Sequence, residues 1–359
     1  MRLTRAIRVL CAVTLGGLAP LWLLAAIDSH AGDLKNEPAS FRISLALDRG
    51  SIFTDVAGLS ASAAYPYGSS TNPAADDFLR QPPNEFTLAG TLTGNYIAFT
   101  SGASITAGAA SASYRLPETG TLTLGFTRAD SHGAKSHEGD GFGLRSNELS
   151  LAYSHRLGER LSVGGEVKLS ESTLNISGTL ADLPLRADSD SLGIDGRVGV
   201  LLGLGEQWLV GLLAGAGSAR GHTTGAWITP DPPFGFGPQR FRLSDEITSV
   251  TARLGLGWRP SERFGAYADW QYLGLSGNTN SAEVGRMFGG LEYLPVAALA
   301  LRLGGSLDTD RQATVSGGLG FYLFKNFQAE MAYGYNAFPE VRREFGRAHL
   351  LSASLVLVY

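Results

Sequence analysis

Apolar side chains recur in this chain at every second position, and over long stretches. Between Asn326 and Phe338, one parity holds Phe327, Ala329, Met331, Tyr333, Tyr335 and Ala337, and the other holds Gln328, Glu330, Ala332, Gly334 and Asn336. A strand sends successive side chains to opposite faces, so this segment reads as a strand with one apolar and one polar face. The dyad repeats along the chain. Leu161, Val163, Val167 and Leu169 oppose Ser162, Glu166, Lys168 and Ser170, and Ile194, Val198, Val200 and Leu202 oppose Asp195 and Arg197. Val250, Ala252, Leu254, Leu256 and Trp258 oppose Ser249, Thr251, Arg253 and Arg259. Phe264, Ala266, Ala268, Trp270 and Tyr272 oppose Arg263, Asp269 and Gln271, while Leu299, Leu301 and Leu303 oppose Arg302 and Ser306. No helical period of comparable length competes with this pattern.

The connections between these strands alternate in length. Short ones fall around Pro117-Glu118, Gly158-Glu159, Gly203 to Gly205, Pro260-Ser261, Pro295-Val296 and Lys325-Asn326. Longer ones lie between them, at 129–145, 178–190, 221–245, 277–281, 309–311 and 339–345. Strict alternation puts every short turn at one end, as in a barrel that spans a membrane with periplasmic turns and extracellular loops. A soluble sandwich has no reason to sort its turns this way. Thirteen strands follow from about Ser104 onward, and one between Glu85 and Thr100 makes fourteen. Twelve and sixteen remain as alternatives, because Phe41 to Asp48 is also strand-like. The fold class is thus all-β: a transmembrane antiparallel barrel of about fourteen strands over 85–359, with 32–84 ahead of it as a periplasmic segment that could plug the lumen. Closure matters because lipid cannot hydrogen-bond an open sheet edge.

Composition agrees. Only 17% of residues are charged and 44% are hydrophobic, which excludes a disordered acidic or basic chain. A formal net charge of −4 without any Lys/Arg-rich run argues against nucleic-acid binding. Arg2, Arg5 and Arg8 precede an apolar run from about Val9 to Ile27, and Ser29-His30-Ala31 supplies small residues at −3 and −1. Residues 1–31 therefore read as a secretory signal peptide cleaved after Ala31, which implies export to the bacterial outer membrane. Cleavage would remove three cations and Asp28, taking the charge to −6, and would also remove Cys11, the single cysteine. A mature chain without cysteine excludes disulfides, thiolate metal sites and a Cys nucleophile. The last strand carries an apolar stripe of Leu351, Ala353, Leu355, Leu357 and Tyr359, similar to the terminal signal read by the outer-membrane assembly machinery.

Parity assigns Arg115, Lys168, Arg197, Arg253, Arg259, Arg263, Arg286 and Arg302 to the lumen, with Glu166, Asp195, Asp269, Glu292 and Glu330. An isolated charge in a confined lumen is costly, so mutual pairing is the economical reading, with a selective filter as the sharper one. In the connection 221–245, Trp227, Phe234 and Phe236 lie among four prolines. They are candidates for an extracellular ligand contact, against the plainer reading of a loop packed over its own barrel. His132, His137, Asp130, Glu138 and Asp140 share the connection 129–145 but match no metal-ligand geometry. Ser154 and His155 are adjacent, so within one strand they point to opposite faces and cannot form a catalytic pair; His349 and Ser352 also fall in a strand. No cofactor motif is present and no enzyme is expected.

Asn72-Pro73-Ala74, placed ahead of the strands, resembles the FadL family of outer-membrane transporters for hydrophobic compounds. So do the hairpins running from Leu149 to Gly164 and from Gly255 to Tyr267. Three features depart from the family: Asp76-Asp77 follow the Asn-Pro-Ala element instead of preceding it, Tyr359 replaces a terminal Phe, and the chain is short. The resemblance implies a monomer that passively takes up a small hydrophobic ligand through a plugged lumen, with lateral exit through the wall. The competing reading is a hydrophilic-solute porin or a barrel with a structural or adhesive role. A segment 49–84 folded inside the lumen favours the first.

Overall fold

The computed structural model describes residues 72–75 and most of 88–358. The expected signal peptide 1–31, the strand-like stretch 41–48, His137, Glu138, Asp140, Phe234, Phe236 and Tyr359 lie outside the described residues. The chain folds into β1 (Leu88–Phe99), β2 (Ser104–Leu116), β3 (Gly120–His132), a two-residue β4 (Ala134–Lys135) and β5 (Gly141–Arg156). Four long strands follow: β6 (Leu161–Leu180), β7 (Leu183–Leu204), β8 (Trp208–Trp227) and β9 (Gln239–Ser261). Then come β10 (Phe264–Ser276), β11 (Ser281–Val296), β12 (Leu299–Asp308), β13 (Ala313–Phe324), β14 (Phe327–Tyr335), a single helical turn α1 (Arg342–Phe345) and β15 (Ala348–Val358).

Long strands that follow one another in the chain pair antiparallel, and the sheet closes into a ring. The first strand β1 pairs the last, β15, from Ala89↔Val358 to Phe99↔Ala348, and β3 pairs β5 from Thr121↔Ser154 to Asp130↔Arg145. The short β4 only flanks β5, so fourteen long strands form the barrel. All six expected short turns join strands at one end. Two of them, at Gly158 and Gly205, use positive φ values of 85° and 74°, which glycine adopts without a Cβ clash.

Burial alternates with the sequence dyad. In β10 the inward residues run Gly265, Tyr267, Asp269, Gln271, Leu273 and Leu275, and every one is buried. The outward residues elsewhere are large and apolar yet exposed, among them Leu192, Val198, Leu303, Met331 and Leu357. A globule in water would bury these; a barrel in lipid presents them. Aromatic rings edge the apolar band. Near the short turns Trp208 stacks on Trp258 at 5.9 Å and Trp258 meets Phe264 edge-on at 6.3 Å. At the far end His349 lies 5.6 Å from the Tyr335 ring and 6.1 Å from that of Tyr333. Such girdles sit where hydrocarbon meets headgroups.

Three expected connections are mostly strand, beginning with 129–145, where β3 runs on to His132 and β5 starts at Gly141. The stretch 178–190 is almost consumed by β6 and β7, whose ladder runs on to Leu180↔Leu183, and 221–245 shrinks to 228–238 between β8 and β9. The cause is the outward face. It changes from Leu169 to Glu171, from Leu192 to Asp190 and from Val250 to Glu246, so an apolar-and-polar dyad stops there although pairing continues. Past the lipid both faces can be polar, which resembles a loop in sequence. Trp227, expected in a loop, ends β8 and pairs with Gln239.

Candidate functional site

The lumen is built from the inward faces of these strands and from one piece of the chain that precedes them. Asn72 closes an Asx turn: its Oδ1 accepts from the Ala74 amide at 3.0 Å, and its carbonyl accepts from the Ala75 amide at 3.0 Å. Its Nδ2 donates to the carbonyls of Val200 and Leu212, each at 3.2 Å, which are paired residues of β7 and β8. Ser162 of β6 donates from Oγ to the Ala74 carbonyl at 2.8 Å. Ala74 and Ala75 pack against Leu201, and Asn72 is only 1% exposed. Two inward glycines make the seat. A Cβ on Gly199 would stand 1.9 Å from Asn72 Oδ1, and one on Gly164 would stand 2.5 Å from the Pro73 carbonyl.

Charged side chains form two groups on the lumen wall. On one wall Arg253 Nε donates to Asp269 at 2.8 Å, with side chains 2% and 0% exposed, and its guanidinium lies 4.4 Å over the Phe288 ring. Alongside, Arg302 bridges Glu292 and Glu330, each at 2.9 Å, and also donates to the Tyr322 hydroxyl at 3.2 Å; Arg259 adds a contact to Glu292 at 3.0 Å. On the other wall Lys168 donates to Glu148 at 3.0 Å and lies 3.8 Å from Glu166, while Arg197 donates to Asp195 at 2.7 Å. Opposite charges thus neutralise one another, between adjacent strands for Arg253–Asp269, Arg302–Glu292 and Lys168–Glu148 and along one strand for Arg197–Asp195. Arg286 is buried on β11, Arg115 is partly exposed near the short-turn end of β2, and Arg263 is exposed in the β9–β10 turn instead of on a strand. Glu148, Tyr322 and the Asn72 seat escaped the sequence reading. Glu148 was legible: Leu149, Leu151 and Tyr153 take the outward parity of β5 and leave Glu148 inward.

Between β5 and β10, on the extracellular side of Lys168 and Arg197, lies a cavity of about 340 Å³. Leu144, Leu174, Ile247 and Leu275 give it apolar walls, and rows of serine hydroxyls cross between them. Gly193, Gly217 and Gly221 open the space where side chains would otherwise stand. Register shifts in the ladders occur beside the short turns, at Phe264/Ala266, Tyr293/Val296 and Tyr322/Phe324. The described ladders carry no break in mid-wall, so no lateral window stands open among them. A second apolar cluster of Ile97, Phe99, Phe338, Phe345 and Leu350 closes over β1 and β15 at the long-loop end.

Other chemistry finds different partners. Ser154 is buried inward while His155 lies on the opposite parity, and His349 Nδ1 meets the Tyr333 hydroxyl at 2.7 Å. Asp130 is held by Arg128 at 2.7 Å and Arg145 at 3.1 Å. No group of three or more metal-ligating side chains occurs among the described residues.

A family model described as outer membrane protein beta-barrel domain matches residues 97–293, more than half of the chain. No curated protein sequence matches. Among solved structures, the CymD monoaromatic hydrocarbon channel superposes with a TM-score of 0.59 at 15% identity, covering 85% of this chain and 98% of that one. The Pseudomonas putida toluene transporter TodX gives 0.56 at 15% identity, covering 86% and 97%. A Pseudomonas aeruginosa FadL homologue gives 0.59 at 13% identity, covering 85% and 98%. At these identities the likeness is one of fold.

Proposed function

Because the chain belongs to the outer membrane protein beta-barrel domain family, we propose that it is a passive outer-membrane channel for a small, largely apolar molecule, closed at rest by its N-terminal segment. One observation carries this reading: Asn72–Ala75, which precedes β1 in sequence, is seated against the inner face of the barrel wall, on the periplasmic side of a cavity. A general ion-conducting pore has no use for such an obstruction. The structural likeness to channels named for monoaromatic hydrocarbons supports a cargo of that size. With described ladders that carry no mid-wall break, the route runs along the axis, from the extracellular cavity past a displaced Asn72 element to the periplasm. Residues 1–31 are the export signal in this scheme, so the mature chain starts at Gly32.

The test is electrical and chemical together. Purified protein in planar bilayers is expected to show little steady conductance, while proteoliposomes holding it take up a labelled monoaromatic faster than empty vesicles. Large, stable conductance steps with no gain in monoaromatic uptake would overturn the proposal in favour of a hydrophilic porin.

A further inference from the structure

The cavity on the extracellular side of the Asn72 seat combines apolar walls with rows of hydroxyls, and its charges are matched among themselves. Strand register stacks its lining in rows. Ser146, Ser172 and Ser191 share one row, and Ser172 and Ser191 meet hydroxyl to hydroxyl at 2.6 Å. The next row outward holds Leu144, Leu174, Ser189 and Thr223, where Thr223 donates to Ser189 at 3.0 Å. Deeper lie Ser170, near Gly193, and Ser249, near Gly217. A hydroxyl has one proton and two lone pairs, so a pair bonded to each other still offers a donor and an acceptor to a guest. The charged residues in the lining are Lys168, Arg197, Glu148 and Asp195, two cations and two carboxylates, already matched as Lys168–Glu148 and Arg197–Asp195. An ionic guest would meet no spare counter-charge among them.

We infer that this cavity binds a neutral, hydroxyl-bearing ring compound of the phenol class, its ring between the Leu144/Leu174 and Ile247/Leu275 walls and its hydroxyl on the serine row. This rests on the channel reading above and names its substrate class. At about 340 Å³ the cavity has room for roughly eleven waters, enough for a methylphenol with space to turn. A site that hydrogen-bonds a hydroxyl discriminates strongly against the analogue lacking it, because the buried partners are left unpaired.

Equilibrium binding of p-cresol, toluene, benzoate and glucose to the protein in lipid nanodiscs, with empty nanodiscs as the blank, tests the inference. p-Cresol is expected to bind on the order of ten-fold tighter than the other three. Ser172→Ala/Ser191→Ala should lower p-cresol to the level of toluene. Gly221→Phe should remove binding altogether: the glycine lines the cavity, and a Cβ there meets the Asp190 carbonyl only at 3.6 Å and Ser191 Cβ at 3.7 Å, so the ring can fill the space without distorting β8. Heat-dependent gel mobility checks that both variants remain folded barrels. Equal affinity for toluene and p-cresol, tighter binding of benzoate or glucose, or unchanged p-cresol affinity in Gly221→Phe would overturn the inference. Uptake into proteoliposomes separates the two levels. Toluene and p-cresol bound equally and both transported sinks the substrate class and leaves the channel. p-Cresol bound selectively but not transported sinks the channel and upholds the site.

Discussion

Asn72 holds the pre-barrel chain to the wall with two side-chain donations, to Val200 and Leu212. A hydrogen bond contributes about 1 kcal/mol net, so Asn72→Ala should weaken docking by about 2 kcal/mol, a roughly thirty-fold change in the docked-to-undocked ratio. Gly164→Ala reaches the same end by another route, because its new Cβ would run into the Pro73–Ala74 backbone, which cannot rotate away. Both variants are expected to raise conductance in planar bilayers while keeping the heat-dependent mobility of the barrel. If conductance stays at the wild-type level in both, Asn72–Ala75 does not obstruct the lumen. The buried pair Arg253–Asp269 makes a second prediction at single side chains. Removing one partner leaves an uncompensated charge, so Arg253→Leu should cost about 3–5 kcal/mol in denaturant unfolding, whereas Arg253→Leu/Asp269→Leu should recover most of it. A double variant as unstable as the single would show that the pair itself, and not the stranded charge, sets the cost.

The strands differ in how openly their sequence declares them. Where lipid lies outside and polar partners inside, β10 and β14 are written as dyads and were read with nearly their observed bounds. The upper parts of β6, β7, β8 and β9 resemble loops in sequence because Glu171, Asp190, Arg220 and Glu246 take the outward face on a sheet that merely continues. Parity placed Lys168, Arg197, Arg253 and Arg302 on inward faces, yet it could not give their partners, since register across strands is not written in either strand alone. It also put Arg263 on a strand when the chain was already turning. The Asn72 seat was beyond reach for the same reason: it depends on glycines of β6 and β7 more than ninety residues away. The change of outward face predicts where the membrane ends. On β7 the apolar outward run from Leu204 to Leu192 is roughly 40 Å long along the strand, which a tilt of about 40° reduces to roughly 30 Å across the membrane, close to the ~25 Å band of such barrels. Val198, 63% exposed near its middle, should tolerate arginine badly, at about 2–4 kcal/mol, whereas Asp190→Arg should cost less than about 1 kcal/mol. Folding yields into lipid vesicles, read by gel mobility, check the contrast. Equal yields would mean that this face does not meet hydrocarbon.

For the assembled barrel the decisive question is whether cargo must displace the segment it finds below the cavity. The chemistry of the chain allows a clean answer. Its one cysteine, Cys11, lies in the expected export signal, so a mature chain offers no thiol to interfere with an introduced pair. Ala75 and Leu201 pack together in one buried cluster, one on the pre-barrel segment and one on β7. Ala75→Cys/Leu201→Cys can therefore tie the segment to the wall under oxidation and free it under reduction, in one preparation and with the barrel otherwise unchanged. Oxidised protein is expected to lose transport of its ring compound into proteoliposomes, and a thiol reductant should restore it. Binding in the cavity should be the same in both states, since Ser172, Ser191 and the leucine walls lie on the extracellular side of the lock. Transport that persists in the oxidised protein would show that cargo leaves without moving the Asn72 element. Because the described ladders have no break in mid-wall, the exit would then have to lie where strands meet the undescribed connections.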